Sequence, residues 1–133
     1  MNPRLYVVTV VLVAAATLAW RGLWRLWVTL ATALGEYHLI FAFLDPTLVL
    51  LLVFHLLLCV ALGFLVIVLA KPNRPLVVGA VAGVLFELAL NFRSRNWWTP
   101  ELRYGFYVAA PLGSLVGARI ATWFGGLRRA AAV

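Results

Sequence analysis

Acidic side chains are scarce in this sequence: four carboxylates, Glu36, Asp45, Glu87 and Glu101, stand against eleven lysines and arginines in 133 residues. No two of the four have a spacing suited to paired acid–base work, and there is no HExxH, GxSxG or glycine-rich phosphate loop. Those absences leave no recognisable machinery for hydrolysis or group transfer. Cysteine occurs once, as Cys59 within an apolar run, which excludes an internal disulfide and a CxxC metal site. Charge of either sign amounts to 11% of residues, whereas an ordinary soluble domain carries about a quarter.

What fills the space is apolar. Hydrophobic residues make up 65% of the chain and the mean hydropathy is +1.04. A soluble domain of this length has too little interior to hide that much apolar surface, so the lipid bilayer is the expected solvent. The formal net charge of +7 would point to nucleic acid in a soluble protein. Here the cations cluster at the ends of apolar runs, a placement that suits topology signals and anionic lipid head groups and leaves no nucleic-acid groove.

Read in order, the chain predicts an all-α polytopic transmembrane bundle, one integral membrane domain over residues 1–133, with spans at about 5–20, 46–70, 75–92 and 104–124. The first, LYVVTVVLVAAATLAW, follows a basic start and has the layout of a secretory signal; it is read as an uncleaved helix. Arg21, Trp24 and Arg25 then mix indole with guanidinium in the manner of an interfacial amphipathic connector. Two other readings of this region are a first helix prolonged to Leu34 and a spanning or re-entrant segment over 27–44. Asp45 followed by Pro46 is a natural helix start, and Lys71-Pro72-Asn73-Arg74-Pro75 is a tight polar turn that makes the second and third spans an antiparallel hairpin. Gly125-Gly126 with Arg128-Arg129 is expected to close the last span.

With the N-terminus inside, six cations fall on the cytoplasmic side (Arg4, Lys71, Arg74, Arg119, Arg128, Arg129) and five on the other (Arg21, Arg25, Arg93, Arg95, Arg103). The positive-inside rule therefore leans only slightly towards cytoplasmic termini of a multi-pass cell-membrane protein. Arg93, Arg95, Trp97 and Trp98 lie in a polar loop, and their composition suits an interfacial anchor or a lipid phosphate.

Two small-xxx-small patterns stand out, Gly79 with Gly83 and Gly113 with Gly117. Lipid gives helices little hydrophobic reason to associate, so close backbone approach over glycine supplies the packing. The patterns predict contact between the third and fourth spans, or a face that binds another subunit. Glu87 is the sharper feature, because an ionisable group within a span is costly and needs a partner or a water-filled cavity. At 1.5 Å per residue Glu87 lies ~18 Å from the Pro75 end and His55 ~14 Å from the opposite end of its helix, which puts them at one level of a ~30 Å core. Arg119 lies about 10 Å away in depth and is expected to snorkel towards Arg128 and Arg129. A His55–Glu87 pair could relay protons or fix helix register by a hydrogen bond. His38 and His55 also raise a haem-bearing anchor, the one cofactor suggested.

From these features the expected function is a non-catalytic membrane subunit that docks into a larger complex through its glycine faces. The alternatives are a small homodimeric, dual-topology transporter or channel that uses Glu87, and the haem anchor. The expected partners are the bilayer, anionic lipid, and other membrane subunits or a second copy.

Overall fold

Each described helix of this chain opens on a proline. The computed structural model describes residues 2–33, 46–91 and 100–131, and within them the helices are α1 (Pro3–Ala33), α2 (Pro46–Ala70), α3 (Pro75–Asn91) and α4 (Pro100–Ala131), with no strand. Proline suits the first helical position because its missing N–H has no intrahelical partner there and its φ is already helical. The apolar stretches between these starts then propagate without interruption. Asp45, Glu36 and His38 lie outside the described residues, as does the loop with Arg93, Arg95, Trp97 and Trp98.

The first helix corrects the expected division at residue 20. Arg21 to Ala33 is the continuation of α1, and the connector does not exist there as a separate element. The stretch contains no proline, and one exposed glycine, Gly22, costs only about 1 kcal/mol of helix propensity, too little to end a helix of this length. A second correction concerns Gly125-Gly126, which do not stop α4; both have room for a side chain, and the helix runs on to Ala131. Glycine ends a helix by adopting a left-handed conformation, and neither residue does so. At about 1.5 Å per residue α1 and α4 are ~46 and ~48 Å long, α2 ~37 Å and α3 ~26 Å.

The α2–α3 turn is closed by an unusual residue. Lys71 has φ 49°, the left-handed value, while its N–H donates to the Ile67 carbonyl at 3.0 Å. Together these make the αL cap that usually carries glycine, and Pro72 follows because the helix cannot continue. A side chain in that conformation costs about 1 kcal/mol. Lys71→Gly is therefore expected to raise unfolding stability by roughly 0.5–1 kcal/mol, less the extra chain entropy of glycine, as read from SDS-titration midpoints in detergent.

The packing makes α4 the hub. It lies against both α2 and α3, while α1 packs on α2 and α3 and does not reach α4 among the described residues. Residues 110, 114 and 118 of α4 meet positions 83 and 79 of α3 in reverse order, so these two helices are antiparallel. Against α2 the order is direct, Gly113 beside Leu56 and Cys59 and Gly117 beside Val60 and Phe64, so α2 and α4 are parallel. The buried interior is assembled from Val13, Ala16 and Trp20 of α1, Cys59, Leu62 and Val66 of α2, Ala82 and Phe86 of α3, and Ala110, Ala118 and Ala121 of α4.

Many large apolar side chains lie on the outer surface. Two helical segments, Pro3–Leu30 and Leu52–Ala70, are long and apolar enough to cross a membrane, and Pro75–Leu90 is a shorter apolar helix. Only 28% and 33% of the most apolar windows of the two long segments are buried, so neither is hidden as the core helix of a soluble protein would be. Val7, Val10, Leu18, Leu57, Val77, Leu88 and Val108 each expose more than half of their surface. Exposure of so many large apolar side chains suits a lipid environment.

Candidate functional site

Three helices converge on His55. The helix α2 supplies the imidazole and α3 the carboxylate of Glu87, with Nε2 and Oε2 3.5 Å apart. That separation is within ion-pair range and slightly beyond an ordinary hydrogen bond of about 2.7–3.2 Å. The histidine side chain is 1% exposed and the glutamate side chain 12%. Around them the walls are aromatic. Trp20 of α1 meets the imidazole in a T-shaped contact at 4.8 Å between ring centroids, and Phe86 of α3 is stacked on it at 5.4 Å with the planes 24° apart. Trp24 and Trp27, one and two turns beyond Trp20, are half-buried against the same core.

The sequence folds this way for local reasons. Glu87 shares a helical stripe with Gly79 and Gly83, and those glycines let α4 approach α3 closely enough to fix its rotation. Phe86, the next residue round the helix, is then turned fully inwards and brings the Glu87 side chain to the edge of the α2–α3 seam. One turn after His55, Cys59 is fully buried, and its carbonyl accepts the Ser114 hydroxyl of α4 at 3.2 Å. This bond ties the hub helix to the turn of α2 that follows the histidine.

The glycine pairs do not face each other. A Cβ on Gly79 would meet the Ala118 Cβ at 2.5 Å, and one on Gly83 would meet the Ala110 carbonyl oxygen at 2.5 Å and the Pro111 Cα at 2.8 Å. Gly113 and Gly117, by contrast, lie against α2, where a Cβ would meet Cys59, Leu56, Val60 and Phe64. α4 thus has two adjacent small-residue stripes, Ala110-Ser114-Ala118 for α3 and Gly113-Gly117 for α2. Gly63, which sequence reasoning passed over, presses its backbone against the Ser114 carbonyl. Its signal was a third small-xxx-small pattern, Cys59 with Gly63. Pro111 was also missed; inside α4 it removes one N–H from the ladder, and its Cα sits against Gly83.

The other sequence candidates are dispersed. Arg119 is exposed, and Arg25 is exposed on α1 while Arg21 and Trp24 are half-buried. With Trp20 in T-shaped contact with the imidazole, Phe86 on a face and Glu87 near Nε2, a porphyrin could reach His55 only by displacing them. No group of three or more His, Cys, Asp or Glu side chains with the arrangement of a metal site occurs among the described residues.

The arrangement sets one carboxylate beside one imidazole among apolar side chains, where an ionisable group is costly to keep. Compared with protein-family models, curated proteins and solved structures, the chain matches none.

Proposed function

We propose that this chain is a small multi-pass integral protein of the cell membrane, with α1 to α4 all crossing the bilayer, that moves protons or an ion coupled to them through a site centred on His55 and Glu87. One observation carries the reading, the 3.5 Å approach of a histidine and a carboxylate between helices that expose many large apolar side chains. Ionisable groups are kept inside a membrane at a cost, and a pair of them with opposite proton affinities is the simplest relay. The alternating helix directions, α2 with α4 and against α3, support the crossing pattern, since consecutive spans must reverse. They place the C-terminal part of α4 at the same end as Lys71 and Arg74.

The docking-subunit reading rests on the glycine faces and on the absence of a catalytic motif; Gly79, Gly83, Gly113 and Gly117 are occupied by contacts within the chain, which favours the transport reading. Reconstitution into liposomes with a trapped pH-sensitive dye tests the proposal. The native chain should dissipate an imposed proton gradient, and Glu87→Gln should slow it at least tenfold, because an amide keeps the shape but neither ionises nor accepts a proton. Equal rates for the two proteins, or no flux above empty liposomes, would remove the transport reading.

A further inference from the structure

One end of the bundle gathers positive charge with no acid to meet it. Lys71 and Arg74 are exposed in the α2–α3 turn, and Arg119 is exposed on α4. Helix register brings the three to one end. Ala118, the neighbour of Arg119, lies against Gly79, which is four residues into α3 and so about 6 Å below the turn. A long guanidinium side chain crosses that difference by snorkelling. α4 then runs on to Ala131, with Arg128 and Arg129 in its last turn. Among the described residues no carboxylate shares this level: Glu87 is about 18 Å along α3 from the turn, and Glu101 lies in the first turn of α4, at the far end. Lys71, Arg74 and Arg119 make no ion pair among the described residues.

Two further features point to what this end holds. The turn cations are fixed through their main chain, because the Lys71 N–H donates to the Ile67 carbonyl and the Arg74 carbonyl accepts the Val78 N–H at 3.1 Å. Lys71 stands at φ 49°, where glycine is at ease and a side chain is not. Strain of this kind collects where a ligand is clamped. On α4, Arg119 continues an apolar stripe. Val108, Leu112, Val116, Arg119 and Trp123 recur every three or four residues, all exposed, on the face turned away from the α2 and α3 contacts. The stripe is apolar for about 12 Å, then cationic, then indole. That order matches one phospholipid leaflet read from acyl chain to phosphate to interface.

We propose that this end of the bundle holds the phosphate of an anionic phospholipid between Lys71, Arg74 and Arg119, with an acyl chain along Val108, Leu112 and Val116. Guanidinium groups suit phosphate because their paired donors match its oxygens. A zwitterionic lipid fits worse, since its own cation finds three others and no carboxylate. Free phosphate would meet the charges and gain nothing from the stripe. The site is distinct from the loop with Arg93 to Trp98, and it needs the membrane setting of the proposed function without needing proton movement at His55 and Glu87.

The test is the lipid selectivity of the purified full chain in detergent, read by native mass spectrometry after adding phosphatidylglycerol and phosphatidylcholine in equal amounts. The native chain should retain phosphatidylglycerol at least twentyfold over phosphatidylcholine. Arg74→Gln and Arg119→Gln should each lower that ratio about fivefold, the weight of one cation near an anionic surface. Arg103→Gln is the comparison, because it lies about 24 Å back along α4 from Arg119, and it should change the ratio less than twofold. Lys71→Gly separates binding from folding, being expected to give the more stable protein and the weaker binder. Excess inorganic phosphate should leave the lipid bound. Equal retention of the two lipids, equal losses in Arg103→Gln and Arg119→Gln, or displacement by inorganic phosphate overturns the inference. Proton flux is measured separately, so a chain with flux and no lipid preference loses this site alone. One with the preference and no flux keeps this site and loses the transport reading.

Discussion

Gly117→Ala is expected to unfold the α2–α4 contact. A Cβ at this position would collide with the Val60 carbonyl oxygen and lie 2.8 Å from the Phe64 nitrogen. Both atoms are main chain in the middle of a helix, so neither can rotate aside, and relief requires the two helices to separate. Separation opens a gap along Cys59, Gly63 and Ser114 and breaks the 3.2 Å bond from the Ser114 hydroxyl to the Cys59 carbonyl. Overpacking of a fitted interior costs about 1–3 kcal/mol where side chains can adjust, and a backbone clash belongs at or above the upper end of that range. The loss should therefore be ~3 kcal/mol or more in SDS-titration experiments, with Gly63→Ala, which meets the Ser114 backbone, behaving alike. Gly22→Ala and Gly125→Ala supply the comparison, because nothing lies within 4 Å of either added methyl group. They should be neutral or stabilising by up to about 1 kcal/mol, the difference in helix propensity. Equal midpoints for Gly117→Ala and Gly125→Ala would mean that α2 and α4 do not meet as described.

These glycines also show how far the sequence could be read. A small-xxx-small pattern declares that a face will approach another backbone, but all faces of this kind look alike, so it does not say which. Gly113 and Gly117 were matched with Gly79 and Gly83 by adjacency in the chain; the second stripe on α4, built of alanine and serine, was invisible because those residues are common everywhere in an apolar helix. Helix starts were legible at Pro46 and Pro75, where proline and the Lys71–Arg74 turn leave the backbone little choice. Helix ends were not, since Gly22 and Gly125-Gly126 give the same local signal whether the chain stops or continues, and nothing packs near them to decide. Depth behaved better than adjacency. Counting the rise per residue from two opposite ends places His55 and Glu87 at one level, and the distance between them is 3.5 Å, because helix geometry is nearly invariant whatever the partner. The rings that enclose the pair were hidden from that arithmetic. Trp20 belongs to a helix whose rotation depends on three-dimensional packing, and in the sequence it is only the last residue of an apolar run.

His55→Leu and Glu87→Leu are each expected to cost about 3 kcal/mol, and the double substitution to recover most of the loss. Each single change takes from the remaining polar group the neighbour that now lies 3.5 Å away, in a site lined by Trp20 and Phe86. Stranding is the expensive event: removing one member of a buried pair is strongly destabilising, whereas replacing both by apolar residues of similar volume is often neutral or stabilising. Polar contacts between helices in lipid are usually weaker than this, averaging about 0.6 kcal/mol, because the separated helices find other partners. His55, at 1% exposure, has fewer such options than most, so a coupling energy above ~1.5 kcal/mol is expected from the cycle. Strictly additive losses would show that the two side chains do not sense each other. The same variants separate architecture from function. If the pair served only to set helix register, the double variant, refolded and stable, should keep whatever proton flux the native chain has. As a working site, it loses the flux in both singles and in the double alike, since leucine can hold a helix in place but cannot hold a proton.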